Sequence, residues 1–286
     1  MESLLRSFRR LRDDLRKGPS GHLKDAMKSD IVEAHIVIDN ALEPLRAVAQ
    51  DVNGIKVKQD MHKRRSDPNA VVFVAPNKYV HQFLEVSKDI LGRRAWKELL
   101  QSRQATQYGE VMKVALCNDM ALYIHLKDAR KLKRGKRWSQ ALKRENDSYE
   151  TLMLTSDGDT EFDARGVALL RDELLKDPNR GAVCGRIRPC GNNGMIMFFQ
   201  SFEYAAGHWF QKTAEDSLGS VLCCPGAFSM FRMKAIQDIA DTYSSVARGA
   251  KDFFLMDQGE DRWMSLLLLE KGYQLTYCSQ AEAMTE

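Results

Sequence analysis

No run of this 286-residue chain is apolar for long enough to cross a bilayer. The longest, Met264-Ser265-Leu266-Leu267-Leu268-Leu269, falls far short of the roughly 20 residues that a spanning helix needs. The start, Met1-Glu2-Ser3-Leu4-Leu5-Arg6, lacks the apolar core of a secretory signal. The six cysteines, Cys117, Cys184, Cys190, Cys223, Cys224 and Cys278, nowhere fall in C-x-x-C spacing. That argues against a zinc cluster or a disulfide framework and for free thiols in a reducing compartment. There is no internal repeat. Hydrophobic residues at 44% and charged residues at 29% exclude a disordered or collagen-like chain and leave room for a substantial buried core.

The net charge of +4 conceals an asymmetry. Residues 1–150 carry 30 Lys and Arg against 20 Asp and Glu, and residues 151–286 carry 13 against 19. A basic half beside an acidic one suits phosphate on one side and a cation or general base on the other; two oppositely charged solvated faces would give the same count.

Periodicity predicts an α/β chain. Residues 2–16 read as an amphipathic helix, 33–40 as a strand and 78–102 as one helix. Residues 111–116 and 121–127 read as the arms of a hairpin. Residues 151–156 form a strand ending at Asp157-Gly158-Asp159. A helix over 163–175 is capped by Asp163. A strand over 181–187, a buried aromatic helix over 195–213 and a strand over 221–224 that enters a Pro-Gly turn come next. A helix over 258–272 and a strand over 274–278 complete the pattern.

Four segments carry chemistry. Asp157 and Asp159, separated by one glycine at a strand end, can present two hard oxygen ligands to magnesium or manganese; a polar turn is the plainer alternative. Lys136-Arg137-Trp138-Ser139-Gln140 closes a run with seven Lys or Arg among residues 127–137, suited to a diphosphate. Aromatic residues are not interleaved through that run, which disfavours nucleic acid. Gly259-Glu260-Asp261-Arg262 opens a helix with acids that either complement its dipole or supply a general base. Cys223-Cys224-Pro225-Gly226 is a turn able to offer backbone groups to a ligand.

In order and wording these segments resemble the catalytic region of animal-type chitin synthases, within the family-2 processive glycosyltransferases. Glu33-Ala34-His35-Ile36, Cys184-Gly185-Arg186-Ile187, Phe202-Glu203-Tyr204-Ala205 with Gly207-His208-Trp209, and Asp257-Gln258 carry the resemblance with them. The match is close from about residue 120 onward. It implies a single GT-A type domain with a mixed, mostly parallel sheet flanked by helices. It also implies transfer of N-acetylglucosamine from its UDP donor to the 4-hydroxyl of a β-1,4 chitin chain, with inversion. By the same resemblance Asp159 is expected to bind a divalent cation (Mg2+ or Mn2+), and Asp157, Lys136 and Arg137 the nucleotide. Cys224, Pro225, Gly226 and Glu260 are expected to meet the acceptor, and Asp261 to be the general base. The expected partners are the UDP-sugar and a chitin oligomer, not nucleic acid, with a second copy of the chain as a candidate. The expected setting is the cytoplasmic side of the plasma membrane. The family's Gln-x-x-Arg-Trp motif, its first strand and its membrane helices are not found here, and Arg188 and Cys190 replace a His and an apolar residue. The expectation is therefore a fold incomplete at both ends. The alternatives are a silent UDP-binding or interaction module and another processive β-glycan synthase.

Overall fold

A computed structural model of the chain describes residues 6, 7, 9, 10, 13, 32–38, 41–44, 74–76, 78–117, 120–128, 131, 151–191 and 194–285. The basic segment with Lys136 and Arg137 lies outside the described residues, as do the polar stretch 51–70 and the end of the first predicted strand.

Strand β1 (Val32–Ile38) runs parallel to β6 (Met120–Lys127). Strand β6 also pairs antiparallel with β5 (Gly109–Cys117), and the short β4 (Gln104–Thr106) closes this four-stranded sheet. Alternation is explicit along β1: Ala34 and Ile36 enter the core, while Glu33 and His35 face the other way. There the Tyr123 hydroxyl donates to Glu33 at 3.0 Å, and His35 lies 2.8 Å from His125, ring nitrogen to ring nitrogen. The Glu33-Ala34-His35-Ile36 motif thus ties β1 to β6.

The stretch predicted as one helix over 78–102 is two, α1 (Lys78–Leu91) and α2 (Arg93–Gln101). Gly92 breaks it with φ +88°, a left-handed conformation that glycine adopts at little cost. The short β2 (Leu42–Pro44) and β3 (Val74–Pro76) pair with each other.

The second sheet holds the acidic half. Its order is β7 (Leu152–Ser156), β10 (Phe228–Arg232), β9 (Arg180–Pro189), β11 (Gln274–Thr285) and β8 (Thr160–Phe162). Mixed sheets flanked by helices match the expected α/β class. The dominance of parallel pairing does not hold: among the described pairings only β1–β6 and β9–β11 are parallel. Strand β10 enters antiparallel between β7 and β9, and β8 returns antiparallel on β11. Helix α3 (Ala164–Leu175) covers this sheet, its first turn capped by Asp163, whose Oδ1 accepts from the Gly166 amide at 2.6 Å. The predicted N-terminal helix is helical at its described positions. It docks on β8, where Ser7 Oγ accepts from the Phe162 amide at 3.0 Å.

Two buried clusters result. The larger runs from Ile36, Leu122 and Ile124 through Leu84 and Leu99 to Leu170, Leu174 and Phe228. The smaller packs Phe231 against Ile236 and Tyr243 of α6 (Met233–Tyr243) and against Met264 and Leu268 of α8 (Glu260–Glu270), which follows the short α7 (Ala250–Phe253). Each fully buried Leu, Ile or Phe stabilises the fold by about 1.5–3 kcal/mol.

Gly185 has a packing role inside this sheet. A Cβ there would lie 2.6 Å from a Phe228 ring carbon and 2.8 Å from the Ala281 carbonyl oxygen. Gly185→Ala is expected to cost about 1–3 kcal/mol of stability, read as a lower Tm in a thermal melt. An unchanged Tm would refute this packing.

Helix α4 (Met195–Ala205) departs from expectation. The sequence predicts a buried aromatic helix, yet Met195, Ile196, Phe198, Phe199 and Phe202 are exposed, Met195 at 88%. Apolar character forecasts burial only where another element lies opposite, and none of the described elements covers this face. No helix among the described residues is long and apolar enough to cross a membrane.

Candidate active site

The second sheet places the acidic motifs on one rim. Strand β7 ends at Ser156, which pairs with Phe228 at the start of antiparallel β10. Asp157-Gly158-Asp159, just after β7, and Cys223-Cys224-Pro225-Gly226, just before β10, therefore lie at the same sheet end. The Thr160 amide closes the first turn by donating to the Asp157 carbonyl at 3.2 Å. Asp157 is half-buried and Asp159 exposed. Among the described residues no hydrogen bond or ion pair engages the Asp159 carboxylate.

Helix α8 delivers Asp261 to the second turn. The Gly226 amide donates to Asp261 Oδ2 at 2.8 Å. Asp261 Oδ1 is buried and has no hydrogen-bond partner among the described residues. Ser265 lies one helical turn on; its hydroxyl donates to the Asp261 carbonyl at 2.8 Å and accepts from the Cys224 amide at 3.0 Å. Ser229 donates to the Pro225 carbonyl at 2.6 Å. Glu260, beside Asp261, is half-buried. The predicted acceptor turn and the predicted base are thus in direct contact.

Residues 221–224 are not the expected strand. The Val221 amide still meets a backbone partner, the Leu275 carbonyl at 2.9 Å. The Leu222 and Cys224 amides go instead to side chains of Glu215 and Ser265, so no ladder forms.

The thiols here are poor nucleophiles. Cys224 shares a hydrogen bond with buried Cys184, and that bond together with burial holds its thiol well above the usual range. Burial also pushes the Cys223 thiol up. Neither supplies thiolate readily at neutral pH, which leaves the carboxylates as the reactive groups of the rim.

An aromatic helical segment backs the turn. After α4 the chain winds as a π-helix over Ala206–Lys212 and resumes as α5 (Thr213–Ser217). His208 is turned inward between Tyr204 and Tyr277, with ring centroids 6.2 and 5.9 Å away. Burial first, then Lys212 and Arg186, lower its pKa to about 4. The unfolded state takes up a proton below about pH 6.5 that the folded state refuses. Stability is therefore expected to fall as pH drops from about 6.5 to 4, by on the order of 3 kcal/mol from this group. Chemical denaturation at pH 7 and 4.5 tests this: His208→Phe should show a smaller pH-dependent loss than the parent, and an equal loss would contradict the assignment. Arg186, of the Cys-Gly-Arg-Ile motif, stacks 4.6 Å from the Trp209 ring and ion-pairs with Glu282, which Arg188 also contacts.

Sequence reasoning gave no site role to Lys212, Glu215, Ser229 or Ser265. Ser265 had a signal: it is the one polar residue in the run 264–269, four positions after Asp261, which puts the two on one helix face. Lys212 and Glu215 act across loops and leave no local pattern.

An acid-lined rim on a mixed α/β sheet defines the class of site. Residues 135–286 match the family model described as chitin synthase. The chain belongs to the chitin synthase family. It is 36% identical over 279 residues to a chitin synthase of Meloidogyne artiellia, covering 89% of this chain and 14% of that protein. With chitin synthase chs-2 of Caenorhabditis elegans it is 38% identical over 232 residues, 73% of this chain and 14% of the relative. With chs-1 of the same organism it is 33% identical over 277 residues, 89% and 19%. The chain thus spans less than a fifth of the length of these curated relatives. A mannosyltransferase from Pyrobaculum calidifontis, solved in complex with GDP-Man and Mn2+, is similar at a TM-score of 0.37 and 16% identity over 58% of this chain and 39% of that one. At that distance the likeness assigns no ligand to this chain.

Proposed function

We propose that this chain is the donor- and acceptor-binding part of a chitin synthase with a GT-A type domain. It transfers N-acetylglucosamine from UDP-N-acetylglucosamine to the 4-hydroxyl of a growing β-1,4 chain, with inversion. The carrying observation is the pair of unequal oxygens on Asp261: Oδ2 is held by the Gly226 amide, while buried Oδ1 has no partner among the described residues. A carboxylate fixed through one oxygen and unpaired at the other keeps a lone pair for the proton of a hydroxyl brought against it. Gly226 bonds Asp261, and Cys224 and Pro225 of the same turn, with Glu260 next to Asp261 in the chain, would serve the acceptor. Inversion follows if the hydroxyl attacks from the side of Asp261 while the diphosphate leaves on the side of Asp157 and Asp159.

The Asp157-Gly158-Asp159 turn fits a hard divalent cation. Its exposed Asp159 carboxylate is unengaged among the described residues, and oxygen donors suit magnesium or manganese. The described residues contain no group of three or more candidate ligands. A cation held by one or two carboxylates plus donor phosphates needs no such group. When bound, the cation offsets negative charge on the leaving diphosphate. Asp159 would hold it, Asp157 would assist the nucleotide, and Lys136 and Arg137 are assigned to the diphosphate by sequence.

Calorimetry of the chain with UDP tests the reading: UDP should bind in manganese and lose that binding when EDTA is added. Absence of UDP binding in manganese would overturn it.

A further inference from the structure

We propose that Lys212 is a positioning residue for Asp261: it holds the Cys223–Gly226 turn where the Gly226 amide stays on Oδ2 and Oδ1 is left for the acceptor. The inference rests on the reading of Asp261 as the base. Lys212 Nζ donates to the Cys223 carbonyl at 2.6 Å, a charge-assisted bond. Among the described residues no carboxylate ion-pairs with this ammonium, and its hydrogen bond goes to the turn itself.

From Leu222 to Gly226 the turn's contacts run to side chains. Glu215 takes the Leu222 amide at 3.1 Å, Ser265 the Cys224 amide and Asp261 the Gly226 amide, while Ser229 donates to the Pro225 carbonyl. Ser265 and Asp261 approach from α8 and Ser229 from β10. Lys212 reaches it from the end of the π-helical segment and Glu215 from α5. The turn is therefore held by several elements, and Lys212 is the cation in that grip. Without it the Cys223 carbonyl loses its partner and the turn is held chiefly from the α8 side.

Lys212 is the last residue of the π-helical segment. An i→i+5 segment accommodates an extra residue relative to an α-helix, and each extra residue turns the following side chains by about 100°. A π segment beside a site is a recurrent way of re-aiming one side chain.

The test compares Lys212→Met, which keeps the stem and loses the donor, with Lys212→Arg, which keeps a charged donor. Amide hydrogen exchange at Gly226, followed by NMR on the full chain, reads the grip without any need for turnover. Exchange should speed up about tenfold or more in Lys212→Met and return toward the parent rate in Lys212→Arg. Transfer to a chitin oligomer should lose about 10- to 100-fold in kcat at an unchanged KM for the UDP-sugar, again restored by Arg. Parent-like Gly226 protection in Lys212→Met overturns the proposal, and so does faster exchange with an unaltered kcat. If Lys212→Met does not fold, Lys212→Gln replaces it with the same expected directions. The base reading fails separately: Asp261→Asn leaving transfer intact, while Gly226 protection still depends on Lys212, would remove the catalytic role and keep the grip.

Discussion

Replacing Asp261 by Asn should lower sugar transfer by about 10²- to 10⁴-fold and leave UDP binding nearly unchanged. Asn retains an oxygen able to accept from the Gly226 amide, so the contact that orders the turn survives. What disappears is basicity at the second oxygen. A general base acts on the transition state more than on the bound donor, so kcat should fall while donor affinity stands. Release of UDP in the presence of a chitin oligomer measures the first quantity and calorimetry the second. A variant that transfers at the parent rate would remove Asp261 from the chemistry. Equal loss of UDP binding and of transfer would instead make it a donor-site residue.

Asp159→Ala should weaken metal-dependent UDP binding by roughly 100-fold, about 2.7 kcal/mol, since the carboxylate is assigned to the cation that meets the diphosphate. The side chain is exposed and none of the described residues engages it, so Tm should move little. That separation matters, because a fall in both binding and Tm would point to a structural turn. Asp157 provides the contrast: it is half-buried and its carbonyl closes the turn. Manganese titrations of parent and variant, each with and without UDP, decide the matter; binding by Asp159→Ala as tight as the parent's would exclude the metal role.

The sequence revealed those elements whose causes are local. Asp163 announces α3 because an Asp at the N-cap can accept from the amide three residues on, and it does. Helix α8 was legible from its acids and apolar body. Its end is equally local: Gly272 at φ +87° lets the Gly272 and Tyr273 amides fold back onto the carbonyls of Leu269 and Leu268. The alternation on β6 leaves alternate residues buried, as expected of a strand with one face in the core.

What stayed hidden depends on partners distant in the chain. Gly92 divides a periodic stretch that remains periodic on both sides of it. Residues 221–224 have strand-like composition, but the Leu222 and Cys224 amides bond to Glu215 and Ser265 rather than to a neighbouring strand. The pattern left residues 228–257 largely unassigned, although they hold β10 and α6. Strand β10 is short, and its burial on both faces erases alternation. For the site, Asp157, Asp159 and Asp261 could be picked out as acids at element ends. Their shared rim could not, because it depends on the antiparallel insertion of β10 beside β7.

The most direct measurement is an experimental structure of the chain with UDP, manganese and a chitin oligomer. The expected arrangement has manganese on the Asp159 carboxylate and the UDP phosphates. The terminal sugar's 4-hydroxyl should lie within about 2.6–3.2 Å of Asp261 Oδ1, with Oδ2 still on the Gly226 amide. Nucleotide bound away from the Asp157–Asp159 turn, or an acceptor hydroxyl beyond reach of Asp261, would contradict it.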